Sequence, residues 1–308
     1  MTDRRDVYER MERCLRAACA DLALPEQEGR PAGLMAGVET LPHALRCLER
    51  VRAMCEAAVR PGCMAGVGCY VQPDVVDPGH PLYTLGTLYA LALAGAQVYL
   101  EHRASYTEEC MGGDDLTAAL LDRFVQGYDR AQTVPIRDYY RREKDVQAFV
   151  AAHPDIRHAV VMGDCPNALE RWRLFADLGL TLHCPGAHLV WFGYSSEEAL
   201  EADRAVWTLG QRCFEGLVDY DAYRSGDNQA EEFTGMSFGD LFWDFEAMLG
   251  AWLALPVGKD RITVLVLTDR PEEDLPLPGG LRDCRVVFSR ELDPDEPLYD
   301  FGQLTEGA

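Results

Sequence analysis

Val7, Met11, Leu15, Ala18 and Leu22 recur at three- and four-residue steps, which predicts an amphipathic helix over residues 3–23. A short apolar run at 34–38 reads as a buried strand. Pro42 suits the first turn of a helix that runs to Val59, where Pro61 and Gly62 stop it. The run 63–71 predicts a second strand. After it come a breaker-rich turn at 73–81, a helix at 82–94 and a strand at 97–100.

Residues 101–113 form a polar loop, and Asp114 or Asp115 caps a helix that buries Leu116, Leu120, Leu121, Phe124 and Val125. The charged segment 137–144 leads into a helix ending near His153 and Pro154. A strand at 158–162, a helix at 168–178 and two short strands at 180–182 and 189–192 follow. Ser195 or Ser196, with Glu197 and Glu198 behind it, caps a long helix toward Gly216. Residues 217–237 show no period and read as a lid or a disordered insert. The aromatic stretch 238–252 predicts a helix serving the core or a subunit interface. Residues 262–267 are the clearest buried strand, 286–288 add another, and the acidic tail 291–308 is expected to be loosely held.

Strands alternating with helices predict a single α/β domain over residues 1–308. Its architecture is an open, mostly parallel, doubly wound sheet flanked by helices, with a helical insertion near residues 195–256. About eight strands also admit an irregular α/β barrel. The open sheet is favoured because a helix precedes the first strand and no helix separates the strands at 180 and 189.

Composition narrows the partners. The 308-residue chain carries a formal net charge of −22, which repels phosphate backbones and anionic lipid, so neither nucleic acid nor a membrane is expected. The charged N-terminus is unlike a signal peptide, and the longest apolar tract, 88–100, is too short to span a bilayer. A cytoplasmic location is the corresponding expectation. Eleven cysteines, an odd number, argue against a disulfide framework. Cys14, Cys19, Cys47, Cys55, Cys213 and Cys284 read as small apolar residues. Cys63, Cys69, Cys110, Cys165 and Cys184 are expected near strand ends or in loops.

In an open parallel sheet, ligands bind beyond the carboxyl ends of the strands. That rule selects Asp77 and His80, then Glu101, His102 and Arg103, then Asp164 with Cys165, His183 with Cys184, and Arg270. Two similar phrases, Asp164-Cys165-Pro166 and His183-Cys184-Pro185, each follow an apolar run. Cys165 is expected close to a helix N-terminus, where the macrodipole favours a thiolate.

Three chemistries suit such a rim. His102, Cys165, His183 and Cys184 can supply ligands for zinc, which activates water or polarises a carbonyl. Cys69, Cys110, Cys165 and Cys184 can hold an iron–sulfur cluster. Without a metal, Cys165 can act as nucleophile with a neighbouring histidine such as His183, or Asp77, Glu101 and Asp164 can act as general acid and base. Asp77, His80, His102, Arg103 and Arg270 then contact substrate. No Gly-x-Gly-x-x-Gly, Walker loop or nucleophile elbow occurs. The expected activity is a metal- or thiol-assisted hydrolase or lyase acting on a small polar molecule. The competing class is a non-catalytic accessory subunit that binds a protein partner, or a second copy of itself, through helix 238–252.

Overall fold

The structure, a computed structural model, describes residues 3–26, 40–73, 81–101, 115–136, 141–162, 166–183, 189–193, 234–237, 245–255, 263–268, 270–271, 281, 284–288 and 301–305. Helix α1 (Arg4–Asp21) starts where the Asp3 carboxylate accepts the Arg5 backbone N–H at 3.0 Å, and it buries Val7, Met11, Cys14, Leu15, Ala18 and Cys19. Helix α2 (Leu41–Ala58) starts at Thr40, whose hydroxyl accepts the His43 N–H, with Pro42 in the first turn as expected.

Four β–α repeats follow, closed by a fifth strand. They comprise β1 (Gly68–Gln72), α3 (Pro81–Ala94), β2 (Gln97–Glu101), α4 (Asp115–Gly127), β3 (Ala131–Val134), α5 (Arg142–Ala152), β4 (Ile156–Val161), α6 (Pro166–Asp177) and β5 (Thr181–His183). The five strands form one open, all-parallel sheet in the order β3-β2-β1-β4-β5. An open sheet replaces the barrel alternative.

The strand order dictates the layers. The chain steps outward from β1 through β2 to β3, then returns across the sheet so that β4 lies on the other side of β1. Helices α3 and α4 accordingly share a core with α1, α2 and one face of the sheet, built on Cys69, Val71, Val98, Leu100, Val160 and Met162. Val146 of α5 and Leu169, Trp172 and Phe175 of α6 pack on the opposite face, against Tyr70, Tyr99, Ala159, Val161 and Leu182. The alternation of side chains along each strand divides these sets.

The later strands form a second sheet. It contains β6 (Leu189–Gly193), β7 (Thr234–Ser237), β8 (Thr263–Leu267) and β9 (Arg285–Phe288) in the order β7-β6-β8-β9, with β7 antiparallel to β6 and the other pairs parallel. Val264, Val266 and Phe288 share the core of α6 together with Leu249 and Trp252 of α7 (Phe245–Leu253).

Several expectations need correction. Residues 61–66 form turns, with Gly62 and Gly66 at φ near +80°, so the strand expected at 63–71 begins only at Gly68. Strand β3 went unrecognised. Residues 234–237, expected in a segment without regular structure inside a helical insertion, pair with β6 as a strand. The tail is not loose at 301–305: a 3-10 helix (Phe301–Thr305) buries Phe301 and Leu304 in the core beside α2 and α3. The strand at 34–38 and the helix at 195–216 lie outside the described residues. No helix among the described residues is long and apolar enough to cross a membrane.

Candidate functional site

β1 and β4 are neighbours from which the chain winds in opposite directions, so their carboxyl ends mark the topological switch of the sheet. In open α/β sheets the helix connections part to opposite faces at such a point, and ligands usually bind in the crevice this leaves. Beyond β1 in sequence come residues 74–80, with Asp77 and His80. Beyond β4 come residues 163–165, with Asp164 and Cys165. All four lie outside the described residues, as do His102, Arg103, Cys110 and Cys184.

Two of the expected residues are described at the sheet itself. Glu101 ends β2 and His183 ends β5, and both are buried. They do not converge. Glu101 shares a face with Tyr99, toward α5 and α6, whereas His183 stands opposite Val160, which faces the core of α3 and α4. Two intervening strands and the thickness of the sheet separate the groups read as one rim.

Each has a partner that sequence reasoning missed. The Arg142 guanidinium, at the start of α5, makes a two-pronged contact with Glu101: Nε donates to Oε1, and Nη2 donates to Oε2 at 2.6 Å. Both side chains are withdrawn from solvent. This is the fork geometry of a carboxylate receiving a guanidinium. Burial pushes the Glu101 carboxyl up, opposed by the charges of Arg142 and Arg171. Burial likewise pushes the Arg142 guanidinium down, opposed by Glu101.

Around that pair lies a polar cluster. Tyr70 and Gln72 sit two residues apart on β1, on the face that carries Glu101. The Tyr70 ring lies 4.9 Å from Phe175, and Arg171 stands one turn earlier on α6. Tyr70, Gln72 and Arg171 are all buried. Tyr70 Oη, Gln72 Oε1 and Arg171 Nε meet no hydrogen-bond partner among the described residues. Burial first, then the Glu101 charge, holds the Tyr70 phenol well above its ordinary range, so it remains a neutral donor.

On the other face, His158 Nδ1 and His183 Nε2 lie 2.8 Å apart, so one ring donates and the other accepts. Burial pushes His158 below the usual histidine range. Engaged in this way, His183 does not present Nε2 to a metal without giving up His158. Among the described residues, no three His, Cys, Asp or Glu side chains are grouped to hold a metal ion.

The remaining assignments shift as well. Cys69, expected near a strand end, is the second residue of β1 and is enclosed by the α3 core. Burial pushes its thiol far up, and it packs as a small apolar residue. Arg270 follows β8 of the second sheet, where its N–H donates to the Thr268 hydroxyl at 3.0 Å. In helix 238–252, Leu249 and Trp252 face the chain's own core, with Trp252 edge-on to Trp172 at 5.5 Å, so neither is available to a partner. Residues 238–244 lie outside the described residues.

A signal for the missed arginine on α6 existed. Arg171 falls four residues before Phe175, on the apolar stripe of an amphipathic helix where a charge is out of place. Compared with known proteins, the chain matches no family model and no curated sequence.

Proposed function

We propose that the protein is an enzyme acting on a small polar molecule bound at the carboxyl edge of the five-stranded sheet, beside the β1/β4 switch. One observation carries the reading: an open parallel sheet changes winding direction there, beside a buried charged cluster on β1, β2, α5 and α6. Buried ionisable groups beside such a crevice are costly for stability and are common where function requires them. Fold alone does not name the chemistry, so the reaction class rests on residue types.

The segments that follow β1 and β4 supply Asp77, His80, Asp164 and Cys165. These are the groups for hydrolysis or elimination: a carboxylate as acid or base, and a thiol as nucleophile. Helix α6 begins at Pro166, directly after Cys165 in sequence, which favours a thiolate there, and the contact of His183 with His158 weighs against a zinc site that includes His183. In this reading, Glu101 and Arg142 hold the edge in shape and do not react.

A pool of small polar metabolites, incubated with the protein and followed by mass spectrometry, tests the proposal. The reading expects one compound to be consumed, with the rate reduced at least about a hundredfold in Asp164→Asn or Cys165→Ala, the scale for an acid–base group. Turnover unchanged in both variants contradicts it.

A further inference from the structure

We propose that the cluster of Arg171, Arg142, Glu101, Tyr70 and Gln72 recognises the carboxylate group of a small ligand that also carries a hydrogen-bond donor, a hydroxyl or an amine. The assignment rests on the reading of the β1/β4 edge as the binding site, and it names the class of molecule bound there.

The first argument is charge. Among the described residues, the cluster holds two guanidiniums and one carboxylate, and Arg142 already covers both oxygens of Glu101. Arg171 is buried with its Nε unpartnered, in a chain whose formal net charge is −22. Buried cations are costly unless an anion meets them, and the field of an acidic chain does not attract anions over distance. Within the described cluster the one excess positive charge matches one carboxylate.

The second argument is hydrogen bonding. Buried polar atoms are nearly always paired, and those that are not call for a partner. Arg171 Nε and the Tyr70 hydroxyl are donors for carboxylate oxygens. Gln72 Oε1 is an acceptor and calls for a donor on the ligand. Tyr70 and Gln72 lie on β1, Glu101 beside them on β2, and Arg171 on α6 one turn before Phe175, whose ring meets Tyr70, so the three unpartnered atoms lie on one face of the sheet. The charge of Arg171 acts on both Glu101 and Tyr70, in keeping with that placement.

Glycolate, the simplest hydroxy acid, is the probe, with glycolamide as its uncharged counterpart, at constant ionic strength. Glycolate should raise the melting temperature saturably and shift the Arg171 Nε–H resonance of the wild-type protein, and glycolamide should do neither. Arg171→Gln should weaken glycolate about tenfold or more, the factor for one charge-assisted hydrogen bond. Arg173→Gln, two residues away and exposed, should leave it unchanged. Should Arg171→Gln fail to fold, Arg171→Lys and the wild-type resonance carry the test. No glycolate binding, or equal binding of glycolamide, overturns the carboxylate assignment. If glycolamide binds equally and Asp164→Asn weakens it, the edge site survives without the anion. If glycolate responds to Arg171→Gln while metabolite turnover is unchanged in Asp164→Asn and Cys165→Ala, the carboxylate assignment stands and the reading of the edge as a catalytic site fails.

Discussion

Arg142, the first residue of α5, grips Glu101, the last residue of β2, through two hydrogen bonds in a site closed to solvent. The contact ties a crossover helix to the carboxyl edge of the sheet, next to the place where winding reverses. Breaking such a pair leaves a buried charge alone, which costs about 3–5 kcal/mol, whereas removing both charges together costs far less. Glu101→Gln and Arg142→Met should therefore each lower stability strongly, and the double variant should lose much less than their sum. Urea denaturation of the four proteins forms the cycle. Additive losses would mean the two side chains do not act as a pair.

The histidine pair makes an acid-sensitive prediction. His158 is held below its ordinary value by burial, so the unfolded chain takes up its proton first as pH falls. The stability present above about pH 6.5 should drain away below it, by linkage. Melting temperatures between pH 7.5 and 5.0 should show a steeper fall in wild type than in His158→Gln. Parallel curves would remove His158 as the cause.

Thiol reagents should divide the described cysteines. Cys14, Cys19, Cys47, Cys55 and Cys69 are buried, while Cys63 and Cys284 are partly exposed. Burial pushes Cys19 up to about 11 and Cys55 and Cys69 higher still. Native alkylation followed by peptide mapping should label Cys63 and Cys284 well before the other five. Because Cys19, Cys55 and Cys69 ionise more easily once unfolded, stability should also decline as pH rises past about 9. Early labelling of Cys69 would contradict its place in the core.

Phe301 and Gly86 interlock at the chain's end. A Cβ built at Gly86 would lie 1.9 Å from Phe301 Cζ. Gly86→Ala should cost about 1–3 kcal/mol by overpacking, and Phe301→Ala about 3–5 kcal/mol by loss of a buried ring. In the Phe301→Ala background, Gly86→Ala should cost almost nothing. Denaturation midpoints decide this, and an undiminished penalty would show that the clash lies elsewhere.

The helices and the parallel sheet were legible because their apolar patterns are strong: the stripe from Val7 to Leu22, and the runs around Tyr99 and Val160. Strand β3 was not, since Ala131, Gln132, Thr133 and Val134 lie at the sheet's margin and form no apolar run. Strand β7 has the same weakness, for the residues Thr234-Gly-Met-Ser237 gain regular structure only by pairing with β6. The candidate site was half legible. Strand-end logic selected Glu101 and His183, but Arg142 looks like a surface charge in a charged segment, and His158 like the edge of an apolar strand. Their roles come from partners about 40 and 25 positions distant in sequence, and such tertiary pairings leave no local pattern.

Hydrogen–deuterium exchange on the protein saturated with its most stabilising small polar ligand tests the central claim most directly. The account predicts slowed exchange confined to the segments flanking the switch, residues 72–80 and 161–166, with Arg142 and Arg171 peptides next in order. Protection centred instead on α1 and α4, or on the second sheet, with the switch segments unchanged, would contradict it.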